Sequence, residues 1–196
     1  MYSMYFVNDR KLKLEKPLSD LDVLVLRFIT ILEKHVDYVI ISGYVAILLG
    51  RSRGTEDVDL FIKPVTKEQF FELYHALQQQ GFWCLNADSD DEVYSYIQDG
   101  LAIRFAEKGQ TIPNFEVKIA RKMEDVLVFI DYIEVETSGG ILKISSLERQ
   151  IAFKKYVLKS DKDFEDAAHL EELFKDKLDY HKIKEYQRLL EKNGTS

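Results

Sequence analysis

Asp57 and Asp59 stand two residues apart in Asp57-Val-Asp-Leu-Phe-Ile62, a stretch that alternates polar and apolar residues as a half-buried strand does. Residues i and i+2 of a strand point to one face, so both carboxylates project together while Val58, Leu60 and Ile62 point the other way. Two adjacent carboxylates repel each other unless a cation lies between them. A hard divalent ion such as Mg²⁺ accepts such oxygen ligands together with substrate phosphates. Upstream, Ser42-Gly43 separates a β-branched run at 36–41 from a short apolar helix at 44–49 that Gly50 ends. Small residues at that turn let the backbone approach a ligand closely, and helix N–H groups favour a phosphate. A phosphate cradle beside a metal-binding carboxylate pair supplies the parts for phosphoryl or nucleotidyl transfer. Arg53 and Thr55, in the polar loop Arg51-Ser-Arg-Gly-Thr-Glu56 between them, are placed to contact the nucleotide. Arg51 and Arg53 both stand where they can contact phosphates at the mouth of the site, with contact favoured for Arg53, and the plainer role of both is to solvate that loop.

The order strand, two small residues, helix, then a strand carrying Asp-apolar-Asp resembles the signature of the DNA polymerase β-like nucleotidyltransferase superfamily. Ser42 and Gly43 match its paired small residues, with Ser42 where glycine is common, and thirteen residues (44–56) precede Asp57. The wording Arg53-Gly-Thr-Glu-Asp-Val-Asp-Leu60 is similar to the AbiEii-type (abortive-infection toxin) branch and to related uncharacterised prokaryotic proteins. The resemblance implies an α+β fold, a mixed β-sheet flanked by helices with a C-terminal helical region. It also implies metal-dependent transfer of a nucleoside monophosphate from a nucleoside triphosphate to a hydroxyl of a tRNA end or a protein side chain. Mg²⁺ or Mn²⁺ would be the cofactor, and an antitoxin the partner if the chain is the toxin of a toxin–antitoxin pair. A different outcome is a catalytically silent member that keeps the fold and binds nucleotide, RNA or a partner protein.

The superfamily usually adds a third carboxylate from a later strand. Phe115-Glu-Val-Lys-Ile119 offers Glu116, since Phe115, Val117 and Ile119 pack on one side while Glu116 and Lys118 project on the other. Asp131, at a turn just before a strand, is the rival. Ile144-Ser-Ser-Leu-Glu-Arg-Gln-Ile-Ala-Phe-Lys154 looks like the AbiEii-type segment that enters a helix and presents a lysine. Lys162-Asp-Phe-Glu-Asp166 looks like the downstream Lys-Asp-x-x-Asp segment. By that likeness Lys154 neutralises triphosphate charge and Asp163 orients the lysine or a substrate hydroxyl. Asp163 and Asp166, three apart, share a helix face, and a solvated salt-bridged helix pair is the other way to read them.

The elements that must position these residues follow from punctuation and periodicity. Ser19 opens an amphipathic helix through Leu21, Leu24, Val25, Phe28, Ile31 and Leu32. Thr66 with Gln69, Ser89 with Glu92 and Ser145 with Glu148 read as capping boxes. Strands are expected at 101–106, 115–120 and 132–136, and a hairpin turn at Ser138-Gly139-Gly140 leads into 141–144. Helices are expected at about 160–174 and 179–191. The division is an α/β core over 1–144 and a helical region over 145–196 packed on it.

With 196 residues, 46% of them hydrophobic, a packed core is attainable. A net charge of −7 argues against a broad basic surface for nucleic acid, though a small tRNA groove stays compatible. The single cysteine, Cys84, excludes an internal disulfide and a thiolate zinc site, and beside Trp83 it reads as core. The four histidines lack metal-ligand spacing, and neither a Gly-x-x-x-x-Gly-Lys loop nor a Gly-x-Ser-x-Gly elbow occurs. No apolar run is long enough to span a membrane, and the opening residues lack the features of a secretory signal. A cytoplasmic location is the expectation.

Overall fold

In the computed structural model, which describes residues 3–193, strands and helices alternate along most of the chain. A hairpin of β1 (Ser3–Asn8) and β2 (Lys11–Glu15) leads to α1 (Asp20–Leu32), β3 (Tyr38–Ile40), α2 (Gly43–Leu48) and β4 (Asp57–Ile62). Then come α3 (Lys67–Gln79), β5 (Phe82–Cys84), α4 (Asp90–Gln98), β6 (Ile103–Glu107) and β7 (Asn114–Ile119). After α5 (Met123–Val126) and a 3₁₀ turn, β8 (Tyr132–Thr137) and β9 (Gly140–Ser145) complete the strands. α6 (Leu147–Phe153) runs into a π-helical turn (Lys154–Leu158), followed by α7 (Asp161–Phe174) and α8 (Tyr180–Asn193).

The strands form one mixed nine-stranded sheet in the order β1-β2-β8-β9-β3-β4-β7-β6-β5. At its centre β4 runs antiparallel to β3 and parallel to β7. Alternation divides these strands between two faces. Val58, Leu60 and Ile62 of β4 and Phe115 and Val117 of β7 are fully buried, each worth about 1.5–3 kcal/mol. Phe28 of α1 lies flat against Phe115, ring centroids 3.9 Å apart and 3° from parallel, and meets the Phe82 ring edge-on at 5.1 Å. This aromatic packing fixes one face and leaves the carboxylates to the other.

Helix starts follow the local chemistry. Ser19 and Asp22, Thr66 and Gln69, and Ser160 and Asp163 form reciprocal capping boxes. Ser89 caps α4, but the Glu92 carboxylate turns to the Asp88 N–H at 2.9 Å instead of closing the box. The cap of α6 is Ser146, not Ser145, because pairing of Ser145 with Tyr132 keeps Ser145 in β9. The β1–β2 hairpin and β5 go beyond the sequence expectation. In β5, Cys84 is buried as expected, while Trp83, one residue out of phase, is 41% exposed.

Candidate active site

Asp57 and Asp59 project together from β4, both half-buried, as their spacing requires. The parallel β4–β7 register sets Asp57 beside Asn114 and Asp59 beside Glu116, and the antiparallel β6–β7 register sets Arg104 beside Glu116. Thr55 Oγ1 donates to the Asp57 carbonyl at 2.9 Å and lies 3.3 Å from its Oδ1, so Thr55 supports Asp57.

Glu116 shares the face of the pair, but its carboxylate has other partners. Oε1 accepts from Arg104 Nη2 at 2.6 Å, and Oε2 lies 3.0 Å from Lys118 Nζ. The same ammonium donates to Asp59 Oδ1 at 2.9 Å, so Lys118 bridges the two acids. Burial lifts Asp59 above the ordinary carboxylate value, aided by Asp57 and Glu116 and opposed by Lys118. Burial acts against Glu116 as well, yet Lys118 and Arg104 hold it below the ordinary value. Burial would lower Lys118, but Asp59 and Glu116 together raise it.

Among the described residues no group of three or more His, Cys, Asp or Glu side chains is arranged to hold an ion. Asp57 and Asp59 suit an oxygen-seeking divalent ion that draws its remaining ligands from water and phosphate. Glu116, neutralised by Lys118 and Arg104, does not fit as a third ligand in this arrangement. Asp131 does not join the pair either. It accepts from Ser146 Oγ, Lys182 Nζ and Tyr186 Oη, each at 2.6 Å, and lines a separate cavity of about 390 Å³.

The Ser42-Gly43 turn lies where the sequence expects it. Ser42 has φ 65° and ψ −139°, a conformation that strains any residue with a Cβ. Over Gly43 lies the Arg53 guanidinium, so close that a Cβ on residue 43 would collide with Nη2. Arg53 is held bidentately by Asp166, with Nε to Oδ1 at 3.1 Å and Nη2 to Oδ2 at 2.9 Å. Asp166 is fully buried, and Lys154 Nζ donates to its Oδ2 at 2.8 Å and to Asp163 Oδ1 at 3.4 Å. Burial alone would raise Asp166, but Arg53 and Lys154 hold it below the ordinary value. Lys154 is itself fully buried, so it is connected to the turn through Asp166 and Arg53. Asp163 combines its contact with Lys154 and the capping of α7 through Ser160.

Asp22, which the sequence reading did not single out, anchors the helix behind the turn. Its Oδ1 accepts from Tyr44 Oη at 2.8 Å, and its Oδ2 meets the Ser19 N–H at 2.9 Å and Lys16 Nζ at 3.1 Å. Lys118, Arg104 and Arg149 were also missed as site residues. The signal for Lys118 was its place two residues after Glu116 on the same strand face. Arg104 becomes visible only with the β6–β7 register. Beyond Asp59 the carboxylate face opens into a cavity of about 290 Å³, lined by Ser42, Asp59, Phe61 and Lys118 from the sheet side and by Asp125, Arg149, Gln150 and Phe153 opposite.

No family model and no curated protein matches the chain. Solved structures do. An antigenic nucleotidyltransferase-like protein from Paracoccidioides brasiliensis is 19% identical with a TM-score of 0.51, covering 91% of each chain. The solution structure of the antibiotic-resistance factor ANT(2'')-Ia is 13% identical with a TM-score of 0.56, over 90% of this chain and 95% of that one. The crystal structure of ANT(2'')-Ia in complex with adenylyl-2''-tobramycin is 14% identical with a TM-score of 0.56, over 89% and 99%. At these identities the likeness is one of fold: a mixed sheet flanked by helices, of the nucleotidyltransferase-like type.

Proposed function

We propose that this protein transfers a nucleoside monophosphate from a nucleoside triphosphate to a hydroxyl acceptor, a tRNA end or a protein side chain. The observation that carries this reading is the shared face of Asp57 and Asp59 beside the Ser42-Gly43 turn, on a fold of nucleotidyltransferase type. Asp57 and Asp59 would hold Mg²⁺ or Mn²⁺, which when bound neutralises phosphate charge. Arg53, fixed by Asp166 over Gly43, would meet the β- and γ-phosphates, and Thr55 would keep Asp57 in place. The acceptor oxygen bonds to the α-phosphorus as the bond to the bridging oxygen breaks. Pyrophosphate leaves, and the acceptor's proton passes to solvent. The local wording of residues 53–60 supports an AbiEii-type toxin with an antitoxin partner as the finer form of this reading.

One observation favours the silent alternative, in which the fold binds nucleotide, RNA or a partner without transfer. Lys118 occupies the space between Asp59 and Glu116, and Glu116 is neutralised twice. Incubation with each α-phosphate-labelled nucleoside triphosphate, Mg²⁺, and total tRNA or total protein separates the two. Transfer predicts label in one fraction, lost with Asp57→Asn. A protein that binds triphosphate and labels neither fraction fits the silent reading.

A further inference from the structure

The cavity beyond Asp59 contains a buried charged group with an unsatisfied donor. Arg149 of α6 is 4% exposed and lines this cavity, and its Nη1 is buried with no hydrogen-bond partner. The guanidinium feels Tyr186, Asp125, Glu124 and Asp131 through space, and none of them satisfies Nη1. Its contact is the Phe153 ring one helical turn on, 5.9 Å from the guanidinium carbon to the ring centre. A buried guanidinium whose donor points at nothing is costly unless a ligand satisfies it. Arg149 takes no part in the carboxylate or phosphate contacts described above.

The other walls indicate what that ligand is. Phe61 and Phe153 supply flat apolar surface. Two acids, Asp59 and Asp125, and two bases, Lys118 and Arg149, line the same space, so the lining charges cancel. With the phosphates carried at the near wall by a divalent ion on Asp57 and Asp59, the far wall of Asp125, Arg149 and Phe153 is left to the base. The Asp125 carboxylate, on the same cavity wall, is the complementary acceptor for a ring that also carries a donor.

We propose that this cavity seats the base of the transferred nucleotide, with Arg149 Nη1 donating to a ring nitrogen or carbonyl oxygen and Asp125 accepting from an amino or ring N–H. The assignment rests on the nucleotidyltransferase reading and makes Arg149 a specificity residue within it. A site built to hydrogen-bond a base edge discriminates strongly, because the wrong base leaves its buried donor unpaired.

Calorimetric titration of ATP, GTP, CTP, UTP and inorganic tripolyphosphate, in Mg²⁺, tests it on the wild type, Arg149→Met and Asp125→Asn. Arg149→Met is expected to weaken the preferred triphosphate about tenfold and leave tripolyphosphate unchanged. Its melting temperature should hold or rise, since an apolar chain of similar volume replaces a buried cation whose donor is unsatisfied. Asp125→Asn, on a half-buried side chain, should change the order of preference among the four bases. Equal losses for tripolyphosphate and nucleotides would assign Arg149 to phosphate and overturn the proposal. Unchanged affinities in both variants, or a melting temperature lowered by Arg149→Met, would also overturn it. A wild type that binds neither nucleotide nor tripolyphosphate defeats the nucleotidyltransferase reading itself. Binding that both variants leave intact defeats the base assignment alone.

Discussion

At the scale of single residues the site is a competition for charge. Lys118 holds Asp59 and Glu116 at 2.9 and 3.0 Å, in the space a cation would share with them. A partly exposed ion pair of this kind is worth about 1 kcal/mol or less. Lys118→Gln should therefore raise Mg²⁺ affinity by up to about fivefold, read by calorimetry. Affinity that stays the same or falls would show that the ammonium does not compete. Asp22 carries a different prediction. Burial acts to raise it, but bonds from Ser19, Tyr44 and Lys16 hold its folded pKa below the ordinary value. A carboxylate lowered in the fold stabilises fully above its unfolded pKa of about 4, and that contribution is lost as pH falls through the lower folded value. Asp22→Asn should thus cost about 1–3 kcal/mol at neutral pH, with wild-type and variant stabilities converging below about pH 4 in urea titrations. A gap that stays constant down to pH 3 would refute this. The pair Asp57 and Asp59 was legible in the sequence because strand parity is a local property. The partners of Glu116 were not, because Arg104 reaches it only through strand register.

Between elements, the connection that matters joins α7 to the loop before β4. Arg53 and Asp166 stand 113 residues apart, and no local pattern announces their bond. Residues 160–166 announce the start of α7 and a pair of acids, Asp163 and Asp166, on one helix face, but not their partner in the loop before β4. Because Lys154 and Asp166 are both fully buried, removing one partner leaves the other charge stranded. Asp166→Ala should cost about 3–5 kcal/mol in denaturant unfolding, and Lys154→Met/Asp166→Leu should recover much of that loss. A single variant that loses under about 1 kcal/mol would contradict the chain from Lys154 through Arg53 to Gly43. Helices with sharp caps were legible for the same reason that strand parity was: Ser19, Thr66 and Ser160 act within one turn. The β1–β2 hairpin was not, since its turn at Asp9-Arg10 contains no glycine and its buried face rests mainly on Leu12 and Leu14. At three residues, β5 is too short to establish a period.

For the molecule as a whole, sheet and helices enclose a cleft in which the carboxylate face of β4 and β7 looks toward α6. None of the helices among the described residues is long and apolar enough to cross a membrane. The fold class was legible because helical and strand periodicities alternate through most of the chain, while strand order depends on long-range pairing that local patterns do not encode. A triphosphate approaching a protein of net charge −7 meets repulsion, most of all at a paired-acid site, so binding there should depend on a divalent cation. Calorimetric titration of nucleoside triphosphates with Mg²⁺ and with EDTA, on the wild type and on Asp57→Asn/Asp59→Asn, tests that dependence directly. The account predicts binding of the wild type in Mg²⁺, none in EDTA, and none for the folded double variant. Binding of equal strength in all three cases would contradict it, as would a folded wild type that binds no triphosphate.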